Sequence, residues 1–125
     1  MRNRAVVLIG LMAVAMAAHP AGAAELGDPA PQLQVTEWVR GGPINLAAGK
    51  GKNIYVIEFW ATWCLPCRES IPHLTEIQKK YRDRGVIVAG IAAEDAADVK
   101  RYVANMGERM AYAVGVDDGD KTSIA

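Results

Sequence analysis

The chain is poor in the residue types that build metal sites and disulfide frameworks. Its 125 residues include two cysteines, Cys64 and Cys67, and two histidines, of which only His73 lies outside the N-terminal segment. A zinc ribbon or finger needs four ligands of these types, and no carboxylates are spaced to complete such a set. The composition therefore predicts no metal site and no bound cofactor, and it allows one disulfide at most.

The chain also lacks an excess of charge of either sign, with 14 basic and 14 acidic side chains. Two of the 14 basic residues, Arg2 and Arg4, lie at the extreme N-terminus, so removal of that segment would leave 12 against 14, a net charge of −2. Nucleic acids and anionic membrane surfaces attract proteins with a basic surplus. We therefore expect neither of them as a partner.

The N-terminal residues have the pattern of a secretory signal peptide. The two arginines precede an apolar stretch, residues 5–18, and residues 21–23 then read Ala-Gly-Ala, a small-x-small cleavage pattern. The apolar stretch is shorter than the ~20 residues that a membrane span needs. We expect residues 1–23 to be a cleaved signal, residues 24–125 to form one exported domain, and membrane attachment only if the signal is retained.

Residues 24–125 alternate between strand and helix patterns. Apolar, β-rich runs at 53–60, 86–92 and 112–116 predict strands, and the first two read as buried on both faces. Apolar residues spaced by three or four predict helices near 69–81 and 96–106. This order predicts the α/β class with a mainly parallel sheet and flanking helices. The cysteines would then lie at the carboxyl end of a central strand.

The segment before the first of these strands predicts a short hairpin. Residues 27–31 are rich in turn formers, and residues 33–39 alternate loosely between apolar and polar. The turn-forming sequence Gly-Gly-Pro at 41–43 separates them from the apolar positions of 44–46. Two such runs around a turn are typical of a β-hairpin, which we expect at the edge of the domain.

The two cysteines are spaced as Cys64-Leu65-Pro66-Cys67, between a predicted strand and a predicted helix. This spacing brings the two sulfurs within bonding reach across the first helical turn. The free N–H groups and the dipole of the helix start favour a thiolate at Cys64, which is the nucleophile in disulfide exchange. A structural disulfide would gain little from closing so short a loop. The motif therefore favours a reversible redox pair.

The residues around this pair resemble a known group of proteins. The run FWATWCLPCR at 59–68 is close to the core Phe-Trp-Ala-Thr-Trp-Cys-x-Pro-Cys of the TlpA-like exported thiol–disulfide oxidoreductases of the thioredoxin superfamily. That group includes the oxidoreductases of cytochrome c maturation, and the Gly-Asp-Pro-Ala-Pro segment at 27–31 is similar to the start of its domains. The resemblance implies a thioredoxin-like fold and a periplasmic or secreted reductase of protein disulfides. It also implies a redox partner protein, such as a membrane electron donor.

The same resemblance implies chemical roles for three residues. Cys64 would attack the substrate disulfide, and Cys67 would resolve the mixed disulfide. Glu58 lies where many thioredoxins carry a buried acid, and burial in an apolar strand would favour its protonated form, which suits it to exchange a proton with Cys67. The alternative is that Glu58 points to a solvated strand end.

The resemblance also suggests how a substrate would be held. Trp63, Leu65 and Pro66 would form the substrate-binding surface around the cysteine pair, and Pro66 would tune the redox balance through local rigidity. The alternative for Trp63, as for Trp60, is a place in the core. His73 is expected on the surface of the helix without a catalytic role.

The C-terminal part departs from the pattern of this superfamily. Thioredoxin-fold enzymes place a cis-proline loop against the cysteine pair, followed by two antiparallel strands and a closing helix, but no proline follows Pro72 here. We therefore expect a thioredoxin-like domain that is truncated at its C-terminus and lacks these strands and this helix. Without them, the strand at 53–60 would have an open apolar edge.

Three other functions compete with the oxidoreductase. A thiol peroxidase of the peroxiredoxin group would set its cysteine in the context Pro-x-x-x-Thr-x-x-Cys, which is absent around Cys64. A thioredoxin-like copper metallochaperone would need wider cysteine spacing and a distant histidine, and none follows His73. A binding module with an inert disulfide is the third.

Overall fold

The computed structural model describes residues 25–117 and Gly119, so the predicted signal peptide lies outside the described residues. Strands and helices alternate along this part of the chain, as the α/β prediction required. In chain order they are β1 (Val35–Arg40), β2 (Ile54–Trp60), α1 (Leu65–Tyr81), β3 (Val86–Ala92), α2 (Ala96–Met106) and β4 (Ala113–Asp117). Short 3-10 turns at Arg82–Arg84 and Gly107–Met110 follow the two α-helices.

The four strands form one sheet in the order β1-β4-β3-β2. β2, β3 and β4 run parallel, and β1 pairs antiparallel with β4. The sheet is therefore mainly parallel, as predicted.

β2 is an edge strand among the described residues, which corrects the prediction that the cysteine pair follows a central strand. It is also not buried on both faces: Ile54 and Phe59 keep 64% and 49% of their surface exposed. Phe59 lies on the face of the sheet opposite the two helices, and Ile54 is the first residue of the strand. The open apolar edge expected for this strand is thus present in the described part of the chain.

Both helices pack on the same face of the sheet. Trp60, Ala92 and Val116 are aligned across the three parallel strands, and all three belong to the buried core. Residues from both helices complete this core, namely Ile71 of α1 and Val99 and Val103 of α2. Neither α1 nor α2 combines the length and the apolar character that a membrane-spanning segment requires.

The opposite face of the sheet is formed by the residues that alternate with these along the same strands. Ile91 is almost fully buried there, at 2% exposure. Val35 of β1 packs close to the backbone of Gly115, where a Cβ atom would lie 2.8 Å from Val35 Cγ1. Phe59 also projects on this side and is half exposed, so the face is apolar but only partly covered near the end of β2.

α1 begins four residues earlier than the predicted helix, and local capping explains the difference. Cys64 is the N-cap residue, and its sulfur accepts a hydrogen bond from the backbone N–H of Cys67. Pro66 lies in the first turn, where its missing N–H leaves no bond unmade. The helix continues through Pro72, and His73 is exposed, as predicted.

The predicted hairpin is wrong. Residues 44–46 form no strand, and β1 pairs instead with β4, far along the chain. Thr36 Oγ1 donates to the carbonyl of Val116, and Arg40 donates to the carbonyls of Gly107 and Met110. These contacts hold β1 along β4, while the chain leaves the sheet at Gly41 and Gly42.

Candidate active site

The cysteine pair lies where the carboxyl end of β2 meets the first turn of α1. The two cysteines form a disulfide with a Cα–Cα distance of 5.3 Å, and both are half-buried. The N–H of Cys67 donates to Cys64 Sγ at 3.3 Å. The same N–H would stabilise a thiolate on Cys64 after reduction, because it points at that sulfur from the positive end of the helix.

The loop before Cys64 is held by a carboxylate that follows β3. Glu94 accepts two hydrogen bonds from Thr62, one from its backbone N–H at 2.6 Å and one from Oγ1 at 2.8 Å. Arg68 of α1 donates to the carbonyl of Thr62 at 3.2 Å. Glu94 directly precedes Asp95, which is the N-cap residue of α2. Glu94 lies two residues after the end of β3, and this position could have indicated a role at the carboxyl edge of the sheet, beside the cysteine pair.

An apolar cleft of about 380 Å³ opens beside the disulfide. Its lining residues come from the ends of β2, β3 and β4 and from the loops that follow β2 and β3. They include the apolar Phe59, Trp63 and Ile91, both cysteines, and the carboxylates of Glu94 and Asp117. One wall of the cleft is therefore the sulfur pair, and another is the partly covered face of the sheet. An extended peptide could reach the sulfurs along this cleft.

The three predicted substrate-binding residues lie together around the disulfide. Trp63 and Leu65 keep 76% and 69% of their surface exposed, and Pro66 is exposed as well. Trp60 differs, because it is 5% exposed and packs on Tyr102 of α2 with ring centroids 5.2 Å apart. Trp63 thus belongs to the surface near the cysteines, and Trp60 belongs to the core.

Glu58 of β2 is half-buried and points towards the helices. Its Oε1 accepts a hydrogen bond from Ser70 Oγ at 2.7 Å, and its Oε2 accepts one from the hydroxyl of Tyr112 at 3.0 Å. Ser70 also lies 3.0 Å from the carbonyl oxygen of Cys67. The carboxylate is therefore linked to the backbone carbonyl of Cys67 through one side chain of α1.

Ser70 and Tyr112 are site residues that the sequence analysis missed. Ser70 comes one turn after Cys67 on α1, a spacing that could have indicated it. Tyr112 precedes β4, and its approach to Glu58 depends on the order of the strands. Burial and then the negative charge of Glu58 raise the pKa of Tyr112 well above its ordinary range.

Within residues 25–117 and Gly119, no group of three or more histidine, cysteine, aspartate or glutamate side chains is arranged to hold a metal ion.

A cysteine pair at the start of a helix that follows a parallel strand, in a mixed α/β sheet, defines a thioredoxin-like protein. Residues 26–125 match the model of the AhpC/TSA family, and the chain belongs to this family. Together with the structural neighbours below, this confirms the predicted thioredoxin-like fold.

Several curated relatives of this chain are named thiol-disulfide oxidoreductase ResA. The chain is 37% identical over 98 residues to the thiol-disulfide oxidoreductase ResA of Bacillus thuringiensis (strain Al Hakam), which covers 78% of this chain and 54% of that protein. Protein FixW of Rhizobium leguminosarum is 40% identical over 78 residues, covering 62% of this chain and 34% of that protein. The matched part of the chain thus spans about half the length of ResA and about a third of the length of FixW.

Among solved structures, a thiol:disulfide interchange protein DsbE from Chlorobium tepidum is similar. It superposes with a TM-score of 0.66 at 28% identity, covering 77% of this chain and 65% of that one. The predicted kinship with thiol–disulfide oxidoreductases is therefore confirmed.

Proposed function

We propose that this protein is a thiol–disulfide oxidoreductase that reduces disulfides of other proteins through Cys64 and Cys67. The observation that carries the proposal is the position of the pair: the sulfur of the N-cap cysteine accepts the N–H of Cys67 and borders an open apolar cleft. The names of the relatives support the same chemistry.

In the first step, the thiolate of Cys64 attacks one sulfur of the substrate disulfide. A mixed disulfide forms between Cys64 and the substrate, and the other substrate sulfur leaves as a thiolate. The Cys67 N–H and the helix dipole favour the attacking thiolate. The cleft would hold the substrate chain, with Trp63, Leu65 and Pro66 at its rim.

In the second step, Cys67 resolves the mixed disulfide. Its thiol gives a proton to the Glu58 carboxylate, and the resulting thiolate attacks Cys64 Sγ. The Cys64–Cys67 bond forms, and the bond to the substrate breaks, so the substrate leaves as a second thiolate. The substrate has gained two electrons and the pair has lost two, which a redox partner protein must restore.

We place this reaction outside the cytoplasm, in the periplasm or after secretion. The support is the signal-peptide pattern of residues 1–23 together with a cysteine pair that works where disulfides persist. The electron donor would then be a membrane protein. The resemblance to oxidoreductases of cytochrome c maturation favours substrates with closely spaced cysteines, such as the Cys-x-x-Cys-His site of haem attachment.

Trapping the mixed disulfide tests the proposal. Cys67→Ser should hold an oxidised Cys-x-x-Cys-His peptide on Cys64 as a covalent adduct, seen by mass shift and reversed by reductant. The matched variant Cys64→Ser should form no adduct at comparable rate. Equal trapping by both variants would contradict the assignment, and hydrogen peroxide turnover without adduct formation would favour a thiol peroxidase instead.

A further inference from the structure

The carboxylate of Glu58 accepts hydrogen bonds from hydroxyl groups in two other parts of the fold. Ser70 comes from α1 and Tyr112 comes from the turn before β4, and each bonds a different oxygen, at 2.7 Å to Oε1 and 3.0 Å to Oε2. Gly90 of β3 leaves the space for this approach, because a Cβ there would lie 3.2 Å from Tyr112 Cε2. The arrangement is therefore built by two strands, one helix and the turn before β4.

The two oxygens of Glu58 have different partners, and the difference has a chemical consequence. Ser70 Oγ carries one hydrogen and lies within reach of two acceptors, Glu58 Oε1 and the carbonyl of Cys67. When Glu58 is ionised, Ser70 donates to Oε1. When Oε1 is protonated, it can donate to Ser70, which then donates to the Cys67 carbonyl. Oε1 therefore has Ser70 as a hydrogen-bond partner in both protonation states of Glu58.

The hydrogen bond from Tyr112 to Oε2 of Glu58 keeps one direction. Burial, the Glu58 charge and the hydrogen bond to Glu58 raise the pKa of Tyr112, and Tyr102 of α2 adds to the shift. The phenol therefore stays protonated and donates to Oε2 throughout the range in which a carboxyl group titrates. A proton on Oε2 would require the phenol to turn and accept it, and the phenol hydrogen would then lose the one acceptor described for it, whereas Ser70 keeps the Cys67 carbonyl. The carboxyl proton is therefore favoured on Oε1.

We propose that Tyr112 is a positioning residue for the resolving step, with Ser70 as its counterpart, and that it makes Oε1 of Glu58 the oxygen that receives the Cys67 proton. This inference rests on the proposed role of Glu58 as proton acceptor. In the step itself, the Cys67 S–H bond breaks and an O–H bond forms at Oε1. The Cys67–Cys64 bond then forms as the mixed disulfide breaks, and the electron pair leaves on the substrate sulfur.

A stopped-flow measurement with dithiobis-nitrobenzoate, an aromatic disulfide, separates the two steps. The first release of coloured thiolate reports attack by Cys64, and the second reports resolution by Cys67. We expect Glu58→Gln to slow the second release at least about tenfold and to abolish its fall at acid pH. Tyr112→Phe should keep that fall but move it up by about one pH unit, because the ionised carboxylate loses a donor. The first release should not change in either variant.

A control variant and the comparison of Glu58→Gln with Tyr112→Phe test the role of Tyr112 separately from the role of Glu58. Tyr55→Phe removes a phenol that bonds the Asn45 carbonyl at the other end of β2, and it should leave the profile unchanged. A Glu58→Gln effect without a Tyr112→Phe shift would overturn the positioning role and retain Glu58. An unchanged second release in Glu58→Gln would overturn both. If Tyr112→Phe does not fold by circular dichroism, Ser70→Ala should show the same upward shift, and an unshifted profile there overturns the inference.

Discussion

Thr62 donates both its backbone N–H and its hydroxyl to the carboxylate of Glu94, at 2.6 and 2.8 Å. The two residues belong to loops that follow neighbouring parallel strands, β2 and β3. This paired hydrogen bond ties the loop before Cys64 to the sheet. The position of Cys64 therefore depends on a side chain that makes no described hydrogen bond to either cysteine.

Glu94→Gln should loosen this loop. A glutamine has one acceptor oxygen on its amide in place of two, so one Thr62 donor loses its partner and the amide nitrogen faces a donor. We expect a loss of about 1–3 kcal/mol in the free energy of unfolding, measured by urea denaturation, and slower attack by Cys64 in stopped flow. Unchanged values for both quantities would show that the Thr62–Glu94 contact does not hold the loop.

Trp60 and Trp63 should respond oppositely to truncation. Trp60 is buried at 5% exposure, so Trp60→Ala should cost about 3–5 kcal/mol of unfolding free energy. Trp63 is 76% exposed, so Trp63→Ala should change stability by less than about 0.5 kcal/mol and instead raise the KM for a peptide disulfide. The measurements are urea denaturation and steady-state kinetics. A stable Trp63→Ala variant with unaltered KM would remove Trp63 from the substrate surface.

Gly90→Ala should destabilise the protein by overpacking. The new methyl group would lie 2.9 Å from Trp60 Nε1 and 3.2 Å from Tyr112 Cε2, and Trp60 is buried and has little room to move. We expect a loss of about 1–3 kcal/mol in unfolding free energy. We also expect an altered second phase of thiolate release, because Tyr112 must shift. A fully stable Gly90→Ala variant would mean that Trp60 and Tyr112 can accommodate a methyl group at position 90, contrary to these distances.

Tyr112 should make the protein sensitive to alkali. Its pKa is raised in the folded state, chiefly by burial, so its stabilising contribution is complete below the ordinary phenol pKa of 10.0 and is lost as the pH rises above that value. Urea denaturation at about pH 9 and about pH 11 should show a smaller alkaline loss of stability in Tyr112→Phe than in the unaltered protein. Identical losses in the two proteins would contradict a buried, protonated phenol.

Local patterns in the sequence were sufficient for the helices and the parallel strands. The run ending at Trp60 is apolar except for Glu58, and the run beginning at Val86 has no polar side chain. Cys64 and Asp95 are the cap residues of the helices that follow these strands. The cysteine pair was predictable from its spacing, since two residues between the sulfurs are enough for closure.

Strand order was not predictable from those patterns, and the remaining errors follow from it. The alternation of β1 shows that one face is buried but does not show that its partner is β4. The apolar run of β2 shows burial potential but not its place at the edge. The contacts of Tyr112 with Glu58 and of Glu94 with Thr62 also join neighbouring elements that are far apart in the chain.

A redox titration tests the central claim most directly. The protein is equilibrated with glutathione redox buffers, and free thiols are counted by alkylation and mass shift while folding is followed by circular dichroism. We expect a reversible two-electron transition of Cys64 and Cys67 at a potential above about −300 mV, since inert structural disulfides usually lie lower. A folded protein whose disulfide shows no transition in this range would contradict the account and leave the pair as a structural bridge.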